Sequence, residues 1–158
     1  MTTRLKPPSE EHSAAPDALA RAQVLAGAMA AAVGVYALVA WLVVEVLEGG
    51  EGLIGGLPAP WPGVLIAVAA AMLLAAPVIE RRVAAGGGEA ADVPERYRLA
   101  KTVGFAIREA AAVVGLVVGI TTGEPRWTWA VCAGTLVLMA LAWPRAADLP
   151  SRYSRDPR

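Results

Sequence analysis

The sequence predicts an all-α membrane protein, a bundle of four transmembrane helices. The 158 residues are 56% hydrophobic and only 18% charged, which is unlike the composition of a soluble domain. The apolar residues are gathered into four long runs, and nearly all Lys and Arg residues lie between these runs or in the tails. Long apolar runs separated by charged segments are typical of helices that cross a bilayer.

The N-terminal residues 1–20 are predicted to form a disordered cytoplasmic tail, because proline and polar residues dominate there and bury too little apolar surface to offset the entropy of ordering. The first span is expected at about 22–46. Its 23 uncharged residues from Ala22 to Val44 would form about 34 Å of helix, which exceeds the ~30 Å of a hydrocarbon core. This length favours an uncleaved anchor over a cleaved signal peptide.

The second span is expected at about 61–80, after an acidic and glycine-rich connection. It opens with Trp-Pro, which suits a membrane interface and the first turn of a helix. Pro77 falls in the last predicted turn, so we expect that turn to be bent or frayed. Glu80, like Glu45 after the first span, is expected to be solvated at a helix end.

The third span is expected at about 98–122 and the fourth at about 127–144. A tight turn joins them, because Gly123 and Pro125 occur between the two runs. The fourth run has 17 uncharged residues, which is short but sufficient with its flanking groups. The four spans together define a transmembrane domain over 21–145, and residues 146–158 are predicted to be a second cytoplasmic tail.

The distribution of basic residues predicts that both termini and the central loop are cytoplasmic. Positively charged segments stay on the cytoplasmic side, and Arg126 alone lies on the other side. We therefore expect a multi-pass protein of a bacterial inner (plasma) membrane. The residues assigned to the cytoplasmic side are Arg4, Lys6, Arg21, Arg81, Arg82, Arg96, Arg98, Lys101, Arg145, Arg152, Arg155 and Arg158.

Residue content argues against several function classes. The formal net charge is zero, so no overall field attracts nucleic acid. His12 is the only histidine and Cys132 the only cysteine. One chain therefore cannot assemble a His-based metal site, a Ser-His triad or an internal disulfide. We expect no enzymatic activity, no catalytic residue, no metal site and no cofactor.

Arg108 and Glu109 are charged residues inside the third predicted span, where each charge costs about 2.5–3.5 kcal/mol on insertion scales. Neighbouring residues project about 100° apart on a helix, so each of the two needs another partner. Gln23 in the first span is the candidate hydrogen-bonding partner, and Arg108 can extend toward the surface marked by Lys101. Three interpretations stay open: a contact that sets helix register, a proton or cation carried by Glu109, and a site for a lipid headgroup or small ligand.

Small residues recur at helical spacing in the first and third spans, and small residues allow helices to approach closely in lipid. We therefore expect these two helices to pack against each other. The glycines assigned to this packing are Gly27, Gly34, Gly104, Gly115 and Gly119.

The segment Glu109-Ala-Ala-Ala-Val-Val-Gly-Leu-Val-Val resembles the carboxylate-bearing helix of rotary ATP synthase c subunits. This resemblance implies a helix hairpin in a rotor ring, with Glu109 carrying the proton. Arg108 beside the carboxylate, and the place of this helix as third of four, depart from the c-subunit pattern.

Over its whole length the chain resembles an uncharacterised family of four-helix bacterial inner-membrane proteins. The resemblance implies a fold and a location but no activity. We therefore expect a structural or accessory subunit of a membrane complex, and the alternative is proton or cation translocation through Glu109. The expected partners are the lipid bilayer and either a second copy of the chain or another membrane protein. The residues that carry the resemblance are Tyr97, Lys101-Thr102, Glu109, Thr122-Gly123 and Trp143-Pro144-Arg145.

Overall fold

The computed structural model describes residues 8–47, 58, 60–86 and 93–145, and all regular structure within these ranges is helical. The all-α prediction is therefore confirmed. A π-helical segment, Leu42–Leu47, continues the first helix. The helices in chain order are α1 (Pro8–Trp41), α2 (Trp61–Ala85), α3 (Val93–Thr122) and α4 (Pro125–Leu141).

The first helix begins at Pro8, inside the segment 1–20 that the sequence analysis assigns to a disordered tail. The sequence from Pro8 to Ala20 explains the difference. Proline suits the first position of a helix, and the alanines that follow have the highest helix propensity. The predicted tail residues 1–7 and 146–158 lie outside the described residues.

The second helix continues through Pro77 and ends at Ala85, so it is longer than the predicted span of 61–80. Proline has no N–H and cannot donate to the carbonyl of Leu73. Because α2 extends past this point, Glu80 lies within the helix and not at its end.

Three helical segments are long and apolar enough to cross a membrane: Leu19–Val46, Trp61–Ala85 and Glu95–Thr122. They correspond to the first three predicted spans. Helix α4 is 17 residues long, or about 26 Å, and is shorter than these three segments. The structure therefore supports three of the four predicted spans by length and composition.

Helix α3 is at the centre of the bundle, where it packs against α1, α2 and α4, and α1 also packs against α4. The contact expected between the first and third spans is thus present. The Phe105 ring meets the Trp143 ring edge-on at a centroid distance of 6.5 Å, a favourable aromatic geometry. The buried core shared by α1, α3 and α4 contains Ala26, Val33, Phe105, Ala112, Cys132 and Met139.

Helix α4 runs antiparallel to α1 along its side. Near the start of α4, the Trp129 indole donates to the carbonyl of Ala37, with 3.3 Å between Nε1 and O. Beyond the end of α4, the Gln23 amide donates to the carbonyl of Pro144 at 3.2 Å. The two contacts show that α4 lies beside the part of α1 that is long and apolar enough to cross a membrane.

A tight turn joins α3 to α4, where the sequence analysis expects one. Gly123 has φ of 69°, in the left-handed region that residues with a Cβ rarely adopt. The Glu124 amide donates to the carbonyl of Gly119 at 3.1 Å, and Pro125 follows as the first residue of α4. This turn places α3 and α4 side by side.

Candidate functional site

The buried charges of the bundle form an ion network between α2 and α3. Glu80 on α2 accepts a hydrogen bond from Arg108 on α3, with 3.1 Å between Oε2 and Nη2. The other carboxylate oxygen, Oε1, lies 3.0 Å from Lys101 Nζ, a charge contact without hydrogen-bond geometry. Side-chain exposure is 4% for Arg108, 11% for Glu80 and 17% for Lys101. One shielded carboxylate therefore faces two cations.

The burial of Glu80 corrects the expectation that this carboxylate is solvated at a helix end. The sequence contains a signal that would have indicated burial. Glu80 follows Ala69 and Ala76 at helical spacings of eleven and four residues, and these three are the buried residues of α2. A carboxylate on the small-residue face of an apolar helix points toward a neighbouring helix. The length of the apolar run predicts a span but does not indicate which face of the helix is buried.

Arg108 is only 3% exposed, so it does not extend to the surface as the sequence analysis allowed. Its guanidinium carbon lies 5.6 Å from the centroid of the Phe105 ring, within the range of a cation–π contact. Within the described residues, Nε and Nη1 of Arg108 have no hydrogen-bond partner. The guanidinium thus retains donors after pairing with Glu80.

Gly104 makes room for the ion pair. A Cβ built at this position would lie 2.8 Å from Cδ and Oε2 of Glu80 and 3.0 Å from Nη1 of Arg108. Such separations are shorter than normal contacts between nonbonded atoms, so alanine at position 104 would push the pair apart. The spacing of small residues predicted that Gly104 packs against the first span, but the structure places it against α2.

Lys101 connects the ion network to the end of α4. Its ammonium group donates to the carbonyl of Ala142 at 3.2 Å and lies 5.7 Å from the centroid of the Tyr97 ring. A cation near the C-terminal carbonyls of a helix also interacts favourably with the helix dipole. The network therefore joins three helices, α2, α3 and α4.

The three polar residues predicted to form one intramembrane site make separate contacts. Arg108 pairs with Glu80, whereas Glu109 accepts a hydrogen bond from the Tyr36 hydroxyl, with 2.8 Å between the oxygens. Gln23 donates to the backbone of Pro144, not to Glu109. Because adjacent positions diverge on a helix, residue 108 faces α2 and residue 109 faces α1. Tyr36 was missed, since a single hydroxyl in an apolar run gives no specific signal.

The predicted packing glycines have different neighbours. A Cβ built at Gly115 would lie 2.7 Å from Cβ of Val131, and one built at Gly119 would collide with Thr128, so both glycines face α4. A Cβ at Gly27 would lie 3.9 Å from the Trp143 ring. Gly34 has nothing within 4 Å of such a Cβ. The glycines of α3 therefore allow α2 and α4 to approach, and α1 contacts α3 through other residues.

A cleft of about 420 Å³ opens beside the ion network, between α2, α3 and the end of α4. This volume is within the range of ~300–1,000 Å³ typical of ligand pockets. The cleft is lined by three cationic side chains and one carboxylate, a net charge of +2, and by a larger number of apolar residues. The charged lining residues are Glu80, Arg81, Lys101 and Arg108, and the apolar ones include Leu73, Pro77, Leu138 and Leu141.

A second polar cluster lies in the turn between α3 and α4, outside the membrane-length segments. Glu124 accepts hydrogen bonds from Nη2 of Arg126 at 2.8 Å and from Nε1 of Trp127 at 2.6 Å. The Arg126 hydrogen bond, and then the Trp127 hydrogen bond, lower the pKa of Glu124 below its ordinary value. The carboxylate of this turn therefore stays ionised to lower pH than an isolated one.

Comparison of the chain with protein-family models, with curated proteins and with solved structures gives no match. Function is therefore inferred from the chemistry of the site, because a helical bundle by itself does not specify an activity.

Proposed function

We propose that the chain is a structural or accessory subunit of a bacterial inner-membrane complex, a helical bundle without enzymatic activity. The observation that carries this proposal is that the charged and polar side chains of the bundle contact one another between helices. Glu80, Arg108 and Lys101 join α2 to α3 and α4, and the Tyr36–Glu109 hydrogen bond joins α1 to α3. Polar contacts between helices fix their register in lipid, which is a structural role.

We also propose that α4 is a fourth span and that both termini are cytoplasmic. The contacts from Trp129 to Ala37 and from Gln23 to Pro144 support the first point, because they place α4 beside most of the apolar length of α1. Basic residues near the C-terminal end of α2 and the N-terminal end of α3 support the second, since basic segments stay in the cytoplasm. With four spans, both termini are then on the same side as this loop. In this arrangement the ion network lies toward the cytoplasmic side.

The outer surface of α1 is the best candidate contact for a partner. Gly34 is exposed, and a Cβ built there would meet no atom within 4 Å. Neighbouring large apolar side chains are also exposed, Val35 at 53% and Leu38 at 59%. A small residue flanked by apolar ones allows a second helix to approach closely. The surface formed by Gly34, Val35 and Leu38 is called the α1 outer face below.

Photocrosslinking in native membranes tests the accessory role. A photoreactive benzoylphenylalanine replaces Leu38 on the α1 outer face, and in a matched control it replaces Leu74 of α2, which is 75% exposed. We expect Leu38→benzoylphenylalanine to give one protein adduct in high yield, and Gly34→Leu in the same chain to remove it. Lipid adducts alone from both positions would contradict the proposal.

The second candidate function is proton or cation translocation through Glu109. The observation that favours it is the partner of Glu109, which is the neutral hydroxyl of Tyr36. Reconstituted in liposomes, the Glu109→Gln variant should then lose flux while Glu45→Gln, at an exposed position, keeps it. Unchanged flux in Glu109→Gln would rule this function out.

Carbodiimide labelling as a function of pH gives an independent test of the same candidate. Hydrophobic carbodiimides react with protonated carboxyl groups in apolar sites. Translocation predicts selective labelling of Glu109 near neutral pH, with Glu45 as the internal control, and Tyr36→Phe should change the pH dependence. Absence of labelling would indicate an ionised Glu109 and favour the structural role.

A further inference from the structure

We propose that the cleft between α2, α3 and α4 binds the phosphate group of an anionic phospholipid. The first argument is charge balance. Arg81, Lys101 and Arg108 contribute three positive charges to the lining, and Glu80 contributes the one negative charge. Uncompensated charge is costly in a membrane bundle, so an anion in the cleft stabilises it.

The second argument is the supply of hydrogen-bond donors. Arg108 lines the cleft and is 3% exposed, and its Nε and Nη1 have no hydrogen-bond partner within the described residues. Buried donors are normally paired, and a guanidinium matches the geometry of phosphate oxygens. The phosphate would therefore accept from Arg108, while Glu80 keeps its bond to Nη2.

The third argument concerns the apolar lining and selects a lipid over free phosphate. Leu73, Leu138 and Leu141 line the same cleft as the cations, and Leu141 is 71% exposed. A phospholipid presents both chemistries, a phosphate and acyl chains, whereas inorganic phosphate gains nothing from apolar walls. Basic pockets between helices on the cytoplasmic side are a known mode of headgroup recognition.

The rim of the cleft provides a matched pair of residues for the test. Arg81 and Arg82 are adjacent, exposed arginines on α2, but Arg81 lines the cleft and Arg82 is outside the lining that the structure describes. Arg81 also lies outside the buried Glu80–Arg108 pair, so its replacement leaves that pair in place. The full-length protein is delipidated in neutral detergent and titrated with phosphatidylglycerol, phosphatidylcholine or sodium phosphate. Native mass spectrometry counts the bound molecules.

We expect one tightly bound phosphatidylglycerol and weaker binding of phosphatidylcholine. Arg81→Gln should weaken phosphatidylglycerol binding about fivefold, the usual contribution of one basic residue near a membrane surface. Arg82→Gln should change it less than twofold. Leu141→Trp should obstruct the acyl-chain part of the cleft and weaken lipid binding. It should not change the binding of sodium phosphate.

Three results would overturn the proposal. Equal weakening in Arg81→Gln and Arg82→Gln would indicate diffuse surface attraction. Equal binding of phosphatidylglycerol and phosphatidylcholine would show that the cleft does not require a lipid with a net negative charge. Sodium phosphate that binds as tightly as lipid would keep the phosphate chemistry but overturn the lipid source. The proposal is separate from the accessory role, because Arg81→Gln should leave crosslinking from the α1 outer face unchanged.

Discussion

Glu80 is the residue on which the ion network depends, because its single carboxylate contacts both Arg108 and Lys101. Replacing Glu80 leaves two shielded cations without their counter-charge. We expect Glu80→Gln to lower the free energy of unfolding by about 3–5 kcal/mol, as for other buried pairs that lose one partner. Reversible unfolding in mixed micelles measures the change.

The control for this prediction is a pair on the surface of α3. Glu95 and Arg98 are 3.0 Å apart, with side-chain exposures of 74% and 39%, and such pairs contribute about 0–1 kcal/mol. Glu95→Gln should therefore have a small effect. If the two variants lose similar stability, the network around Glu80 does not hold the bundle together.

Glu124 gives a second prediction at the residue scale. Its pKa is lowered mainly by the Arg126 hydrogen bond, so the stabilisation of the turn is present above the ordinary pKa and is lost as pH falls through the lowered pKa. NMR titration of the Glu124 carboxyl carbon should show this low pKa, and Arg126→Gln should raise it toward 4.5. A pKa that is unchanged in Arg126→Gln would contradict the assignment.

The sequence predicted the polar residues of the membrane-length segments better than it predicted their partners. Arg108 and Glu109 are recognisable because charges are rare in apolar runs. Their partners Glu80 and Tyr36 are 28 and 73 residues away, and only the packing of the helices brings them close. The residue pattern along one helix does not indicate which residues of another helix lie close to it in space.

At the scale of elements, the glycines of α3 and α1 should respond differently to alanine. In Gly115→Ala the new Cβ lies 2.7 Å from Cβ of Val131 on α4, and overpacking of this kind costs about 1–3 kcal/mol. In Gly34→Ala the Cβ meets no atom within 4 Å, so the higher helix propensity of alanine should stabilise the isolated chain by up to about 1 kcal/mol.

Thermal unfolding of the purified chain in detergent checks this pair of substitutions. A lower Tm for Gly115→Ala and an equal or higher Tm for Gly34→Ala are expected. The opposite order would mean that α4 does not pack against α3 at Gly115. Because both substitutions add one methyl group, the comparison isolates the effect of the neighbouring helix.

The spacing of small residues predicted that α1 and α3 pack together, and they do. It could not predict which helix each glycine faces. Gly104 faces Glu80 of α2, and Gly119 faces Thr128 of α4, because α3 is surrounded by three helices and uses small residues on several sides. A periodic pattern identifies close approach but does not identify the neighbour.

For the whole molecule, the proposed topology can be tested by cysteine labelling in intact cells. Cys132 is buried in the core and is first replaced by alanine. In this background, we expect Glu124→Cys to react with an impermeant maleimide added outside the cells, because the proposed topology puts the turn on the outer side. Arg82→Cys should react only after permeabilisation. Labelling in the reverse pattern would invert the topology.

The all-helical class and the three membrane-length segments were predictable because bilayer thickness sets helix length, and uncharged runs of sufficient length are visible in the sequence. The predicted positions of the first three spans overlap the segments Leu19–Val46, Trp61–Ala85 and Glu95–Thr122. Helix ends were less predictable, since α1 begins at Pro8 and α2 passes Pro77. Where a helix ends depends on alanine content and on packing. The length of an apolar run contains no information about either.

The separation of Glu80 from Arg108 along the chain has a consequence for biogenesis. Arg108 follows Glu80 by 28 positions, so it emerges roughly 1–6 s later at a translation rate of about 5–20 residues per second. Through that interval α2 carries a carboxylate whose counter-ion has not yet left the ribosome. We expect the insertion machinery to retain α2 until α3 arrives, so that the two helices enter the lipid together with Glu80 and Arg108 paired.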